Sequence, residues 1–199
     1  MKGFTLIRNV GIGLILLTFA GGGIGVSSAN AHPVLKTPVQ EQKQNLKREA
    51  LLSHEVRRQL RAQIQSYSGS FNVFDDVQYQ IRGSHVILMG KVLNPMTRSS
   101  AGRAVRNIRG VTQVVNKIQV LPLSSVDNQI RWAEYRSIFS EPSLQRYSMG
   151  TVPSIHIIVD QGKVTLVGYV DNKMDRELAG MRARMVAGVF SVKNDLHVS

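Results

Sequence analysis

The sequence predicts an α/β protein of the α+β kind: two tandem α-β-β-α-β modules, each a small mixed three-stranded sheet with two helices packed on it. A long internal repeat and the succession of hydrophobic periodicities within each copy both lead to this prediction. Residues 86–120 align without gaps onto residues 164–198 at a constant offset of 78. The aligned pairs include Gly90 with Gly168 and Asn116 with Asn194. Such self-similarity indicates a tandem duplication.

Each copy shows the same order of predicted elements. An amphipathic helix comes first, two strands with alternating apolar residues form a hairpin, and a second helix leads into a last strand. In order, the predicted elements of the two copies are helices 43–66 and 126–140, strands 77–81 and 155–159, strands 86–92 and 164–170, and strands 114–121 and 192–198. The second helices are predicted to begin after the N-caps Asn94 and Asn172 and to stop at Gly110 and Gly188. The strand order within the sheet stays open.

The N-terminus is predicted to be a cleavable export signal. Lys2 and Arg8 form a positive segment, an apolar, glycine-rich stretch covers 10–26, and residues 29–31 have the small-x-small pattern of a signal peptidase site. Cleavage after Ala31 would release the chain into the periplasm or outside the cell. An uncleaved transmembrane anchor is disfavoured, because the apolar run is shorter than the ~20 residues that a span needs.

The predicted division of the chain is a signal peptide at 1–31, a flexible leader at 32–42, and modules at 43–122 and 123–199. Loss of Lys2 and Arg8 with the signal would lower the formal charge from +12 to +10. This excess predicts an anionic partner, either phospholipid or nucleic acid, and export disfavours nucleic acid. The sequence contains no cysteine, which excludes disulfides and thiolate metal sites.

The repeat resembles the BON domain, named after bacterial osmotic-stress and nodulation proteins. The shared pattern is Val-x-Leu-x-Gly-x-Val, a spacer with arginine and alanine, and Gly-Val-x-x-Val-x-Asn-x-[Ile/Leu]-x-Val, which both copies match. The resemblance implies association with envelope membranes, mostly through phospholipid binding and often under osmotic or envelope stress, without catalysis. The pattern's recurrent glycines, expected at turns or close contacts, are Gly90, Gly110, Gly168 and Gly188. The lipid-attachment cysteine of some family members is missing here.

The second module carries apolar side chains beyond those that its core needs. On its second helix, Ala179, Ala183 and Val186 form the stripe expected to face the sheet. Another stripe, on a different side, contains Met174, Leu178, Met181 and Met185. The corresponding residues of the first module are Met96, Ser100, Arg103 and Asn107. The first helix of the second module adds aromatic rings beside arginines, namely Arg131, Trp132, Tyr135, Arg136 and Phe139.

These apolar residues have three interpretations. Aromatic rings beside arginines suit a membrane interface, and methionines suit adaptable apolar binding surfaces. An exposed apolar stripe is equally typical of packing between the two copies or between two molecules, or of binding to a partner protein.

The first module is predicted to carry a basic surface. The buried stripe of its first helix contains Leu52, Val56, Leu60 and Ile64. The residues assigned to the basic surface, from this helix and from the second helix, are Arg57, Arg58, Arg61, Arg103 and Arg106. Contact with anionic headgroups would contribute up to ~1 kcal/mol per basic residue, whereas an ordinary solvated face is the alternative for any single arginine.

No pattern typical of an enzyme or a cofactor site occurs in the sequence. The histidines are scattered, His54-Glu55 lacks a second histidine at the zinc-binding spacing, and there is no Gly-x-Ser-x-Gly elbow. We therefore expect no catalytic residue, no metal and no cofactor. The predicted function is that of an exported envelope protein that binds anionic phospholipid surfaces. The alternative is a non-enzymatic adaptor that binds another envelope protein, or itself, through the apolar face of the second module.

Overall fold

The structure, a computed structural model, describes residues 38–66, 73–149 and 153–199. Within these ranges the chain contains five α-helices and two small mixed sheets, in the predicted α-β-β-α-β order with one additional short helix in the second module. The predicted fold class is therefore confirmed. The predicted signal peptide and its cleavage site after Ala31 lie outside the described residues. The first helix begins at Pro38, so residues 38–42, predicted as the end of a flexible leader, are helical.

The elements extend the predicted ones by a few residues at most places. The first module contains α1 (Pro38–Ser66), β1 (Asp76–Arg82), β2 (His85–Val92), α2 (Pro95–Arg106), β3 (Gln113–Asn116) and β4 (Gln119–Val120). The second module contains α3 (Ser125–Phe139), α4 (Pro142–Gln145), a 3-10 turn (Arg146–Ser148), β5 (Ile155–Asp160), β6 (Lys163–Val170), α5 (Lys173–Arg184) and β7 (Ser191–Val198). The sequence analysis missed α4 and the 3-10 turn, and it predicted one strand where β3 and β4 are separate.

The strand order, which the sequence left open, is the same in both modules. The central strand is β2 or β6; the hairpin partner lies antiparallel on one side and the crossover strand parallel on the other. In the first module Leu88 lies between Tyr79 and Asn116, and in the second Leu166 lies between Ile157 and Asn194. Because these pairs obey the 78-residue offset, the register of the duplication is preserved across the sheet.

The predicted N-caps of the second helices are confirmed. Asn94 Oδ1 accepts a hydrogen bond of 2.8 Å from the backbone N–H of Met96, and Pro95 occupies the first turn of α2. Asn172 Oδ1 accepts a hydrogen bond of 2.8 Å from the backbone N–H of Asp175. Each side chain satisfies a donor that the first helical turn leaves without an intrahelical partner.

The predicted ends of these helices are wrong by four residues. The helices stop at Arg106 and Arg184 rather than at Gly110 and Gly188. The two glycines lie in the following loops, where φ is +97° and +86°. They therefore supply a left-handed backbone conformation, as predicted, but in the connection to the next strand.

The repeated asparagine joins the second helix to the crossover strand. Asn116 Nδ2 donates a 2.8 Å hydrogen bond to the carbonyl oxygen of Arg98. A Cβ at Gly102 would lie 2.8 Å from this Nδ2 atom, so only glycine allows the close approach. The second module repeats both features at Asn194 and Gly180, with 2.7 Å for each contact. The shared motif is thus a packing device of the fold.

The 78-residue offset continues into the first helices, where sequence identity is lost. The buried pairs are Leu52 with Ile130, Val56 with Glu134, and Leu60 with Ile138. Glu49 Oε1 accepts a 2.7 Å hydrogen bond from Gly83 N in the hairpin turn, and its equivalent Asp127 accepts from Gly162 N at 2.8 Å. Both first helices are therefore fixed to their hairpins in the same way. The side chain of Ile64, the last predicted residue of the buried stripe, lies outside the described side chains.

The modules contact each other at the second sheet and through the segment that enters β1. Leu121 packs with Ile158 and Val167, which alternation places on the side of the second sheet opposite its helices. Lys91 Nζ and Asp160 Oδ2 form an ion pair of 2.6 Å across the boundary. The carbonyl of Val73, in the segment that enters β1, accepts a 2.7 Å hydrogen bond from Ile157 N. The end of this segment therefore joins the sheet edge of the second module.

Candidate membrane-binding surface

A row of methionines is exposed along α5. Met174, Met181 and Met185 have 76%, 54% and 72% of their surface accessible. Leu178, from the same predicted stripe, is half-buried against the core of the second module. The first module does not cover these methionines, so the interpretation that this stripe packs against the other copy is wrong within the described residues. We call Met174, Met181 and Met185 the methionine row.

The aromatic side chains of α3 follow a different course, from the core to the surface. Phe139 and Phe74 are buried, Tyr135 is half-buried, and Trp132 is 48% exposed. Their rings meet edge to face, with centroid distances of 5.0 Å for Tyr135–Phe139, 5.8 Å for Trp132–Tyr135 and 5.2 Å for Phe74–Trp132. We call Trp132, Tyr135 and Phe139, with the adjacent Arg131 and Arg136, the aromatic flank. Phe74 lies just before β1 in the first module, so its contact with Trp132 joins the two copies, whereas the first module does not cover the methionine row. The prediction that Phe139 is available to lipid is wrong.

The two arginines predicted beside these rings have different environments. Arg131 is buried, and its Nη2 atom donates a 2.7 Å hydrogen bond to the carbonyl oxygen of Val159. Burial lowers the pKa of Arg131, and the nearby carboxylate of Asp127 opposes this change only in part. Arg131 therefore joins α3 to β5, and the prediction that it binds lipid phosphate is wrong. Arg136 is exposed.

The methionine row and Trp132 lie on different sides of the helix layer. Ser137 Oγ donates a 2.9 Å hydrogen bond to the carbonyl oxygen of Arg182, so α5 lies against the Ser137 side of α3. Trp132 precedes Ser137 by five residues, which places it about 140° away around the helix. The sequence analysis treated these apolar residues as one face, and the structure separates them.

The start of α5 is held by a polar network that the sequence analysis did not predict. Tyr147 Oη donates a 2.6 Å hydrogen bond to Asp175 Oδ2 and accepts one of 2.9 Å from Asp171 N. Arg146 pairs with the same Asp175 oxygen, and its guanidinium carbon lies 4.8 Å from the centre of the Tyr147 ring. Burial raises the pKa of Tyr147. Several contacts thus hold the first turn of α5, the helix that carries the methionine row.

Glu134 is a buried carboxyl group that the sequence analysis missed. The side chain is fully buried, and neither carboxylate oxygen has a hydrogen-bond partner among the described residues. Burial raises its pKa to about 8, so the carboxyl is protonated below that pH. Applying the repeat offset to α3 would have revealed it, because its equivalent Val56 belongs to the predicted buried stripe.

The five arginines of the predicted basic surface differ in accessibility. Arg103 and Arg106 are exposed near the end of α2. Arg58 is exposed but forms a two-pronged ion pair with Glu55, with N–O distances of 2.7 and 2.9 Å. Arg57 and Arg61 are half-buried one turn apart on α1. Burial lowers the pKa of Arg61, and the neighbouring charge of Arg57 lowers it further.

The described ranges contain neither a helix that could span a membrane nor a cluster that could hold a metal ion. No helix there combines the length and the apolar character needed to cross a bilayer. No three histidine, aspartate or glutamate side chains there come together in a way that could hold a metal ion.

Known proteins share parts of this sequence. A family model described as the BON domain matches residues 52–122 and 146–199, and it leaves α3 unmatched. The chain is 30% identical over 124 residues to osmotically-inducible protein Y of Escherichia coli strain K12. The alignment covers 61% of this chain and 61% of that protein, so the chain spans less than two thirds of the curated relative that it matches.

Two solved structures are also similar, and both are of CdsD, described as a structural protein of the type III secretion system of Chlamydia trachomatis. The structure of its C-terminal domain is 13% identical, covering 73% of this chain and 96% of that one, with a TM-score of 0.25. The second is 14% identical, covering 74% and 93%, also with a TM-score of 0.25. A TM-score this low does not establish a common arrangement.

Proposed function

The chain belongs to the BON domain family, and we propose that it is an exported envelope protein that binds anionic phospholipid membrane surfaces. The family match and the similarity to osmotically-inducible protein Y support a role related to the envelope or to osmotic stress. We propose further that membrane binding helps to preserve envelope integrity under such stress. The role that we propose is non-enzymatic.

The observation that carries this proposal is the exposed methionine row on a firmly held helix. Apolar side chains that stay exposed on a folded domain usually mark a binding surface. Methionine is flexible and polarisable, so it suits an irregular apolar environment such as the headgroup–acyl boundary. At the positions of Met181 and Met185 the first module has Arg103 and Asn107, which shows that the fold does not require apolar residues there.

Electrostatic attraction supplies the second part of the proposed mechanism. The formal charge of the chain is +12. Exposed cations on the same helix as the methionine row are Lys173, Arg176 and Arg184. Each basic residue near an anionic surface contributes up to about 1 kcal/mol, and salt screens this contribution. The cations would capture the membrane, and the methionines would then insert.

Residues of the aromatic flank have a smaller part in this proposal. Trp132 and Arg136 are accessible, so they remain candidates for lipid contact. Tyr135 is half-buried and would chiefly support Trp132. The buried side chains of Arg131 and Phe139 are left out.

Co-sedimentation with vesicles tests the proposed function. The exported chain would be mixed with vesicles that contain or lack anionic lipid, at low and moderate salt. We expect salt-sensitive binding to anionic vesicles only. The triple variant Met174→Ser, Met181→Ser, Met185→Ser should lose about tenfold or more in affinity, since each methionine gives up part of its apolar transfer energy. The matched control is Met96→Ser, which changes an exposed methionine of the first module.

An absence of binding to any vesicle would contradict the proposal. The methionine row would then fit the alternative function, an adaptor that binds another envelope protein or a second copy of itself. Apolar association of that kind persists at moderate salt, whereas capture by basic residues weakens. Sedimentation of the protein alone at both salt concentrations shows whether the chain associates with itself.

A further inference from the structure

Phe190 is highly exposed, with 79% of its surface accessible, immediately before β7. Its backbone N–H donates a 2.8 Å hydrogen bond to the carbonyl oxygen of Gly162 in the β5–β6 turn. The first module has the same bond from Thr112 to Ser84 at 3.0 Å, and there the two hydroxyl oxygens are 2.8 Å apart. The fold therefore needs the backbone bond at this position, and it does not need an aromatic ring.

Two further exposed apolar residues lie at the same end of the module. Asp127 accepts hydrogen bonds from Gln161 N and Gly162 N, which places the start of α3, and hence Val126, beside the turn. Met185 directly follows α5 and precedes Gly188 by three residues. A Cβ added at Gly162 of the turn would lie 3.5 Å from the carbonyl oxygen of Gly188, which places this loop beside the turn as well. We call Val126, Met185 and Phe190 the apolar tip. The equivalent residues of the first module are all polar: Arg48, Asn107 and Thr112.

The charges around the apolar tip favour an anionic partner. Lys163 follows Gly162 and Arg184 precedes Met185; both are exposed, and the described residues contain no ion pair for either. The nearby acids are engaged, because Asp127 is buried against the turn and Asp160 pairs with Lys91. An apolar projection with cations at its rim matches the boundary between phosphate headgroups and acyl chains.

We propose that the apolar tip inserts into the interfacial region of an anionic bilayer, with Phe190 as the deepest residue and with Lys163 and Arg184 at phosphate level. This inference rests on the proposed function and adds an orientation to it. Met185 belongs to both the tip and the methionine row, so the two form one continuous surface. The second module would thus approach the membrane with its hairpin-turn end first.

A tryptophan placed at position 190 tests this orientation. The chain has one tryptophan, so the double variant Trp132→Phe, Phe190→Trp carries a single reporter at the tip. On anionic vesicles with brominated acyl chains we expect its emission to shift to the blue and to be quenched. The matched control is Trp132→Phe, Thr112→Trp, whose reporter at the equivalent site of the first module should stay unquenched. In addition, Phe190→Thr should weaken vesicle binding about fivefold, because part of the transfer free energy of one aromatic ring is lost. The same variant should leave the unfolding midpoint unchanged.

The outcomes separate this inference from the proposed function. If the unmodified chain sediments with anionic vesicles while the reporter at 190 stays unquenched, the tip inference is overturned and the proposed function stands. If the unmodified chain does not bind vesicles, both fail. If the reporter shifts without lipid as protein concentration rises, and the molecular mass doubles, the tip is a contact between copies and the lipid inference is overturned.

Discussion

The first helices of the two modules have equivalent positions and opposite surfaces. On one flank, α1 has His54, Arg57 and Arg61 where α3 has Trp132, Tyr135 and Phe139. The second helices differ in the same sense, since Arg103 and Asn107 on α2 correspond to Met181 and Met185 on α5.

The features that do not differ are those that hold the backbone together. Both modules keep the asparagine that joins helix to strand, the glycine beneath it and the carboxylate that binds the hairpin turn. The comparison teaches that duplication preserved the packing devices and left the outward faces free to diverge. At the compared positions of these helices, the first module has polar or cationic residues and the second module has apolar ones.

The largest expected effect concerns a feature that the modules share, the glycine of the central strand. Gly90 has φ of +115°, and a Cβ there would lie 2.1 Å from the carbonyl oxygen of Asp76. Gly90→Ala should therefore lower the free energy of unfolding by about 4 kcal/mol, from backbone strain plus overpacking. Urea denaturation measures it. Gly83→Ala is the control, since φ is +61° there but nothing lies within 4 Å of the added Cβ; an equal loss in both variants would contradict the close-contact explanation.

The next effect concerns an equivalent buried position that is Val56 in the first module and Glu134 in the second. The pKa of Glu134 is raised from 4.5 to about 8 by burial, so the folded state keeps a proton that the unfolded state loses above pH 4.5. The free energy of unfolding should therefore fall as pH rises from about 4.5 to 8. Glu134→Val, which copies the first module, should remove this slope and stabilise the protein at pH 8 by roughly 3 kcal/mol.

Denaturation at pH 5, 6.5 and 8 measures the Glu134 effect. The matched control is Glu177→Val, which changes an exposed carboxylate of the same module. If the Glu134 variant kept the same pH slope as the unmodified chain, Glu134 would not be the group that produces it, and the raised pKa would be contradicted.

A smaller effect on the free energy of unfolding distinguishes the equivalent flanks of α1 and α3. Trp132 packs edge to face against Phe74 and Tyr135, whereas its equivalent His54 is exposed. Trp132→Ala should lower the free energy of unfolding by about 2 kcal/mol, and His54→Ala should change it by less than about 0.5 kcal/mol. Chemical denaturation of the two variants checks this contrast. Similar losses would mean that the flanks do not differ in packing.

The smallest effects are expected at the cations of the first module. Arg103→Ser and Arg106→Ser should each weaken binding to anionic vesicles by about threefold at low salt, and by less at moderate salt. Arg58→Ser should have a smaller effect, because Glu55 already neutralises that guanidinium locally. Vesicle titrations at two salt concentrations measure these differences. Equal losses for all three variants would indicate a response to net charge alone.

Much of the fold could be predicted from the sequence, because its strands and helix starts depend on local patterns. Alternating apolar residues in Val86–Leu88–Val92 and their repeats specify strands, and Asn94 and Asn172 specify helix starts, since each acts within a few residues of itself. The helix ends were predicted less well, because Gly110 acts in a connection whose length depends on where the next strand docks. The candidate site was predicted in part: Met174, Met181 and Met185 are exposed as expected, whereas Arg131 and Phe139 are buried.

The sequence by itself determined the duplication, the element order and the apolar surplus of the second module, because repeat spacing and side-chain periodicity are properties of the chain. Only the tertiary structure decided which surplus residues face solvent. Phe74, 58 residues before Trp132, covers part of the aromatic flank, and the docking of α5 against Ser137 directs the methionine row away from it. Exposure depends on contacts between residues that are distant in the sequence, and neither periodicity nor composition records those contacts.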